Sequence, residues 1–237
     1  MTVTAWNEPA GGTPRGTLVV LPGRGETAAS YERFGRRLSA DAYRVRLLPI
    51  DLDDLDAARV GVEKLLADEE LPGPKVLVGA DSGATLAALL APELPVDAVV
   101  LAGLALPESG GVETWEEEVE ARTACPVHRK VISQDDAFGR GGLNAPLPWD
   151  SLELRPADRP TLLLHGSADP ITPAGAALAP YAGARGVRVR LVNGGRHDVL
   201  NDASHRSVAA TIVLFLESLK LGPDLPDVVS ADWSAAS

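Results

Sequence analysis

The sequence predicts an α/β protein: a mostly parallel central sheet with helices on both faces. Two observations carry that expectation. Short apolar runs rich in Val and Leu recur at 17–21, 43–48, 75–78, 96–101, 161–164 and 187–192, and several are continuous, as strands buried on both faces require. Between them lie helical patterns rather than tight hairpin turns, so successive strands are joined by crossovers and run parallel. The helix over 56–69 has Ala58, Val62, Leu65 and Leu66 on one stripe. The last helix, 204–219, aligns Val208, Ile212, Phe215 and Leu219, with Ser204 in an N-cap position.

Length and charge narrow the function classes. The chain's 237 residues suit one domain, over 1–221, followed by a tail at 222–237 that reads as an extended or mobile extension. A net charge of −11 without a Lys/Arg stripe argues against a nucleic-acid partner. One cysteine excludes an intramolecular disulfide or a multi-Cys zinc site. No basic–apolar leader and no apolar run of spanning length is present, so a soluble, cytoplasmic protein without a membrane span is expected. No heptad or edge signal speaks to oligomeric state.

One segment interrupts the strand–helix rhythm. Residues 104–154 contain a charged helical stretch at 114–122 and a Gly/Pro/Asn-rich stretch near 139–148. An insertion after a parallel strand sits above the carboxyl edge of the sheet, where ligands bind, so a small lid is expected there. Such a short lid suggests comparatively open access to the site below. Glu116, Glu117 and Glu118 read as a solvated helix face.

The residues suited to chemistry fall at strand ends. Lys75 to Leu90 reads as strand, sharp turn and helix, the context of a nucleophile elbow, whose small residues let strand and helix approach while the central residue projects over the sheet. The frame Gly79-Ala80-Asp81-Ser82-Gly83 centres Asp81; a competing frame, Ala80 to Ala84, centres Ser82. From this point the chain resembles the α/β-hydrolase superfamily, in particular its lysophospholipase and monoacylglycerol-lipase-like group. Aligned on Val78 to Ala87, the usual serine nucleophile is replaced by Asp81.

Three further segments carry the resemblance. Leu21-Pro22-Gly23-Arg24-Gly25 is similar to the oxyanion loop, with Pro22 in place of His, and implies backbone N–H donors at Arg24 and Ser82. His165-Gly166-Ser167-Ala168-Asp169-Pro170 is similar to the acid loop and implies Asp169 as carboxylate. Gly194-Gly195-Arg196-His197-Asp198 is similar to the histidine loop and implies His197 as base. The order nucleophile, acid, base is that of the superfamily.

The resemblance implies a hydrolase acting on a small organic substrate through a covalent ester on Asp81 or Ser82, with His197 and Asp169 as the base pair. A carboxylate nucleophile is ionised at neutral pH and opens an electrophilic sp3 carbon, as in an epoxide or haloalkane. Against the known enzymes of that chemistry, Ser82 stands where Trp usually follows the aspartate, and Tyr31, Tyr43 and Tyr181 all lie outside the lid. Two other readings stay open: a lyase, isomerase or epimerase with Asp81 and His197 as a proton shuttle, and an inactive binding protein. Arg24 and Arg196 either receive an anionic group on the substrate or are outward-pointing surface arginines. His165 reads as packing, His205 as solvated, and Asp198 as a weaker acid candidate than Asp169. Cys125 and His128 form a Cys-x-x-His pair too small for a zinc site, although Cys125 could line a substrate pocket. No metal and no cofactor are implied, because no phosphate-cradling loop or ligand cluster occurs.

Overall fold

The computed structural model describes residues 2–222 and 224–229. A seven-stranded sheet runs in the order β1-β3-β2-β4-β5-β6-β7. Its strands are β1 (Thr4–Trp6), β2 (Gly16–Leu21), β3 (Tyr43–Leu47), β4 (Lys75–Ala80), β5 (Ala98–Ala102), β6 (Thr161–Gly166) and β7 (Val187–Val192). Only the short β1 is antiparallel to its neighbour, β3; all other pairs are parallel. The three residues of β1 have no apolar run to reveal them, and this strand has no counterpart in the sequence expectation.

Alternation within each strand divides the core into two layers. Leu18, Val20, Val76, Val78, Val100 and Leu164 face one side, where they meet Phe34 and Leu38 of helix α1 (Ala28–Ala40) and Ile212 and Phe215 of α7 (His205–Leu219). Val19, Leu21, Leu77, Leu101 and Leu163 face the other, against Ala58 and Val62 of α2 (Leu55–Ala67), Leu86 and Leu90 of α3 (Ser82–Leu90), and Ala177 of α6 (Ala174–Leu178). Strands β2, β4, β5 and β6 are covered on both faces, which is why they read as near-continuous apolar runs, whereas β3 and β7 carry Arg at alternate positions. The expected α/β class and the strands and helices named for it are present, with ends differing by one or two residues at most positions.

The segment between β5 and β6 folds into α4 (Trp115–Arg122), α5 (Pro126–Gln134) and a short 3-10 turn at Gly142–Asn144. Thr114 caps α4 in a reciprocal capping box with Glu117. Glu118 departs from the expected solvated face. It is fully buried and accepts from Arg122 Nη2 at 2.8 Å and Nε at 3.1 Å. A buried carboxylate survives only with such a partner, and the i,i+4 spacing on α4 supplies it. Of the residues after Gly222, Leu225 is buried in the core beside α7, so this part of the tail is packed rather than extended; 223 and 230–237 lie outside the described residues.

The elbow between β4 and α3 depends on two close approaches. A Cβ on Gly79 would lie 2.2 Å from the Gly83 carbonyl oxygen, and one on Gly83 would lie 2.3 Å from that of Leu21. Gly79→Ala should therefore destabilise the protein by about 1–3 kcal/mol or more, because packed backbone cannot yield. Gly175→Ala, at a helical position with open space around it, should be neutral or slightly stabilising. Urea unfolding midpoints of the two variants measure the contrast.

Candidate active site

Four loops leave the carboxyl ends of β2, β4, β6 and β7 and converge where the strand order reverses, between β2 and β4. Asp81 follows β4 with φ 48° and ψ −121°, a conformation that a non-glycine residue seldom adopts. It is held by the peptide hydrogen bond from its own N–H to Ala102 O and by Ala84 and Thr85 N–H groups donating to its carbonyl. The tight contacts of Gly79 and Gly83 fix the same turn. Strain of this kind persists where surrounding structure over-determines it, characteristically at functional positions.

The side chains meet in one chain of charges. Asp81 Oδ1 lies 3.0 Å from His197 Nε2, and His197 Nδ1 lies 2.8 Å from Asp169 Oδ2. Asp169 Oδ1 accepts from the N–H groups of Ile171 and Thr172, and His165 Nε2 stands 3.1 Å from Asp169 Oδ2. His165, a fully buried residue of β6, thus touches the acid as well as packing in the interior. Asp198, sequence-adjacent to His197, faces away and pairs with His128 Nε2 at 3.0 Å.

Arg24 completes the cluster. Its backbone N–H donates to Asp81 Oδ2 at 2.7 Å. Its guanidinium donates to the same carboxylate through Nε, at 2.9 Å to Oδ2, and through Nη2, at 2.8 Å to Oδ1. The remaining terminal nitrogen, Nη1, donates to the carbonyls of Leu143 and Ala145 in the segment between β5 and β6. Gly23, just before it, has room for no side chain: a Cβ there would stand 2.8 Å from that of Asp81. The backbone donor that the resemblance assigns to an oxyanion is thus occupied by the Asp81 carboxylate itself.

Access differs from the expectation. Asp81 is 4% exposed, His197 2% and Arg24 7%. A cavity of about 580 Å³ lies next to them, lined by Arg24, Pro22, Ser82, Ile50 and Ala137 among others, but neither Asp81 nor His197 reaches its wall. Arg24 stands between cavity and carboxylate, so the site is closed rather than open.

Two of the named residues are not gathered with the rest. Ser82 Oγ is buried and without a hydrogen-bond partner among the described residues, so no contact joins it to His197. Arg196 is directed to Glu120 on α4, 3.4 Å away, and does not share Arg24's position. Cys125 Sγ accepts from Arg33 Nη1, and with His128 turned to Asp198 the Cys-x-x-His residues do not converge. Among the described residues no group of three or more His, Cys, Asp or Glu side chains forms a metal-binding cluster, and no helix is long and apolar enough to cross a membrane.

Sequence reasoning missed the support behind Arg24. Glu26 accepts from Gly23 N–H and from the Tyr31 hydroxyl, and Arg122 donates through Nη2 to the Arg24 carbonyl at 2.7 Å while pairing with Glu118. Burial pushes the Glu26 carboxyl up to about 7, with the charge of Asp198 adding to it. The i,i+4 spacing of Glu118 and Arg122 was the one signal in the sequence for this network.

These contacts set the protonation states. Burial opposes ionisation of Asp81, but the hydrogen bond from His197 and the charge of Arg24 hold its carboxyl well below the usual range. Burial likewise disfavours the imidazolium of His197, yet the Asp169 carboxylate, followed by that of Asp81, raises it from 6.5 to about 9. At neutral pH the cluster is two carboxylates, one guanidinium and one imidazolium. The stability supplied by His197 is complete below about 6.5 and is lost as pH rises through about 9. The ring should titrate near 9 when followed by NMR of its nitrogens, and Asp81→Asn, which removes one of its two anionic partners, should lower that value.

No protein-family model matches the chain, and no curated protein matches it. Solved structures do. A soluble variant of monoglyceride lipase from Saccharomyces cerevisiae superposes with a TM-score of 0.73 at 14% identity, over 92% of this chain and 91% of that one. The monoacylglycerol lipase of Paleococcus ferrophilus gives 0.71 at 18% identity, over 92% and 100% of the two chains. An enol-lactonase from Burkholderia xenovorans gives 0.67 at 16% identity, over 91% and 96%. With its mostly parallel seven-stranded sheet and elbow after β4, the chain has the α/β-hydrolase fold.

Proposed function

We propose that the protein is a hydrolase that opens an electrophilic sp3 carbon of a small anionic substrate through a covalent ester on Asp81. The observation that carries this reading is the division of labour across the Asp81 carboxylate. Oδ2 sits on the Arg24 backbone N–H, whereas Oδ1 faces His197 Nε2. One oxygen is thus anchored in the position of an oxyanion, and the other, once the Arg24 guanidinium releases it, is the one to attack.

The chemistry follows from the protonation states. Asp81 Oδ1 forms a bond to the substrate carbon as the bond to its leaving oxygen breaks, and the His197 imidazolium gives its Nε2 proton to that oxygen. A halide would leave without a proton. The ester on Asp81 is neutral, so one of the two anions raising the His197 value is gone and the imidazolium is less favoured; where a halide has left, it passes its proton to solvent, leaving the neutral imidazole. It then takes a proton from water as the water oxygen adds to the Asp81 carbonyl carbon. The resulting oxyanion on Oδ2 is met by the Arg24 backbone N–H. Collapse expels the product with Oδ1 attached, His197 returns the proton to it, and the acid proton left on the Asp81 carboxyl passes to His197 to restore the ion pair. Asp169 holds the ring throughout. The absence of a lid tyrosine is no obstacle in this scheme, because His197 itself is the acid for the leaving oxygen.

Arg24 supplies the reason for an anionic substrate. Its guanidinium caps Oδ1 as well as Oδ2, and must release Oδ1 before attack. A substrate carboxylate arriving from the adjoining cavity offers it an equivalent bidentate partner. Arg196, paired with Glu120, has no part in this. Proton transfer between His197 and substrate without a covalent ester is the second reading, favoured by the charged resting state of the pair.

Intact-mass measurement of His197→Ala with short chloro- and epoxy-substituted carboxylates, followed by peptide mapping, tests the proposal. The expected result is an adduct on Asp81 with the chloro compound, absent in Asp81→Asn, and turnover lowered by roughly 10²–10⁴-fold. An adduct on Ser82 would overturn it in favour of a serine esterase. No adduct, with hydrogen exchange into the substrate in heavy water, would overturn it in favour of the proton shuttle. Binding without either would leave a binding protein.

A further inference from the structure

Away from this site, α1, α5 and the start of α7 enclose a groove of about 570 Å³ that shares no lining residue with the cavity beside Arg24. Its volume is that of a small-molecule site. Phe34, Val127, Val131 and Leu200 give it an apolar wall, and Val127 is 61% exposed with nothing packed over it. Around that wall stand Arg33, Arg36, Arg37 and Arg206, against Glu32 as the one acidic residue. In a chain of net charge −11 the local excess of positive charge is anomalous.

The arginines are not equally engaged. Arg36 pairs with Glu32, which also accepts from Trp6 Nε1, and Arg37 lies 3.8 Å from Asp41. Arg33 is half-buried and donates to no carboxylate, its acceptors being Cys125 Sγ and the Asn201 carbonyl. Arg206 is exposed and has no hydrogen bond or ion pair among the described residues. Both act on one place: burial lowers the His205 imidazole, and the charges of Arg33 and Arg206 lower it further. A partly desolvated guanidinium with no anionic partner is a site of unmet attraction, and a carboxylate, sulfonate or phosphate group satisfies it with charge-assisted hydrogen bonds.

We propose that this groove is a second ligand site, for an amphiphilic organic anion whose charged head lies between Arg33 and Arg206 and whose apolar body lies on Val127, Val131 and Leu200. The apolar wall selects the body, and the two guanidinium groups, neither paired with a carboxylate among the described residues, select the charge. The proposal is independent of the chemistry assigned to Asp81.

A matched pair of fluorescent probes tests it on the full chain: 8-anilinonaphthalene-1-sulfonate and N-phenyl-1-naphthylamine, which differ in the sulfonate. The sulfonate probe should bind at least about tenfold more tightly than the uncharged one, and Arg206→Glu, an exposed change that leaves the fold intact, should weaken it by a similar factor. Arg33→Gln combined with Arg206→Gln should abolish the preference for the charged probe, while His197→Ala should leave binding unchanged. Equal affinity for the two probes, indifference to Arg206→Glu, or loss of binding in His197→Ala would overturn the proposal. Arg206-dependent binding of an acidic amphipathic peptide or of anionic vesicles, without binding of the sulfonate probe, would also overturn it and assign the groove to a macromolecule.

Discussion

The bidentate ion pair between Arg24 and Asp81 is the constraint around which the carboxyl end of the sheet is organised. Two buried charges this close to one another require each other: removing either would strand the other in a medium that does not solvate it. The pair also draws in its surroundings. Arg24 Nη1 holds the carbonyls of Leu143 and Ala145, its own carbonyl takes Arg122, and Arg122 in turn neutralises Glu118. The segment between β5 and β6 is thereby tied to the oxyanion-like loop through a continuous set of charge-assisted hydrogen bonds.

That arrangement gives the site a closed resting state with all charges matched. The protonated His197 lies between two carboxylates, and the guanidinium covers the face of Asp81 that the adjoining cavity would otherwise reach. Such matching explains why a strained aspartate is tolerated at the elbow: its geometry is fixed by glycine contacts below and its charge is satisfied from above. It also means that any ligand acting on Asp81 must replace what Arg24 gives it.

Much of the fold was legible because buried parallel strands leave a plain mark. After their first residues (Thr17, Lys75 and Thr161) the runs at 17–21, 75–78 and 161–164 are continuously apolar, since α1 and α7 cover one face and α2, α3 and α6 the other. The three residues of β1 carry no such mark, and their pairing with β3 depends on a neighbour distant in the chain. Asp81, Asp169 and His197 were each legible from a local strand-end motif, and the structure brings the three within hydrogen-bond distance in one line. The positions of Ser82 and Arg196 were not legible. Adjacent residues on a turn point in different directions, and an arginine beside a loop is drawn toward whichever carboxylate is nearest, here Glu120.

By itself, then, the sequence determined the layered α/β architecture and the residues placed at the carboxyl ends of its strands, because burial and turn chemistry act over short stretches of chain. Only the tertiary structure decided what those residues meet. Glu118 became a buried partner instead of a solvated acid, Asp198 turned to His128 instead of His197, and Arg24 folded inward to close over Asp81. The physical reason is the same in each case. A buried charge takes its direction from the opposite charge that packing brings within reach: for Arg24 and Asp198 that partner is many residues away in the chain, and for Glu118 it is four residues on along α4, committed to the interior by the long-range docking of that helix.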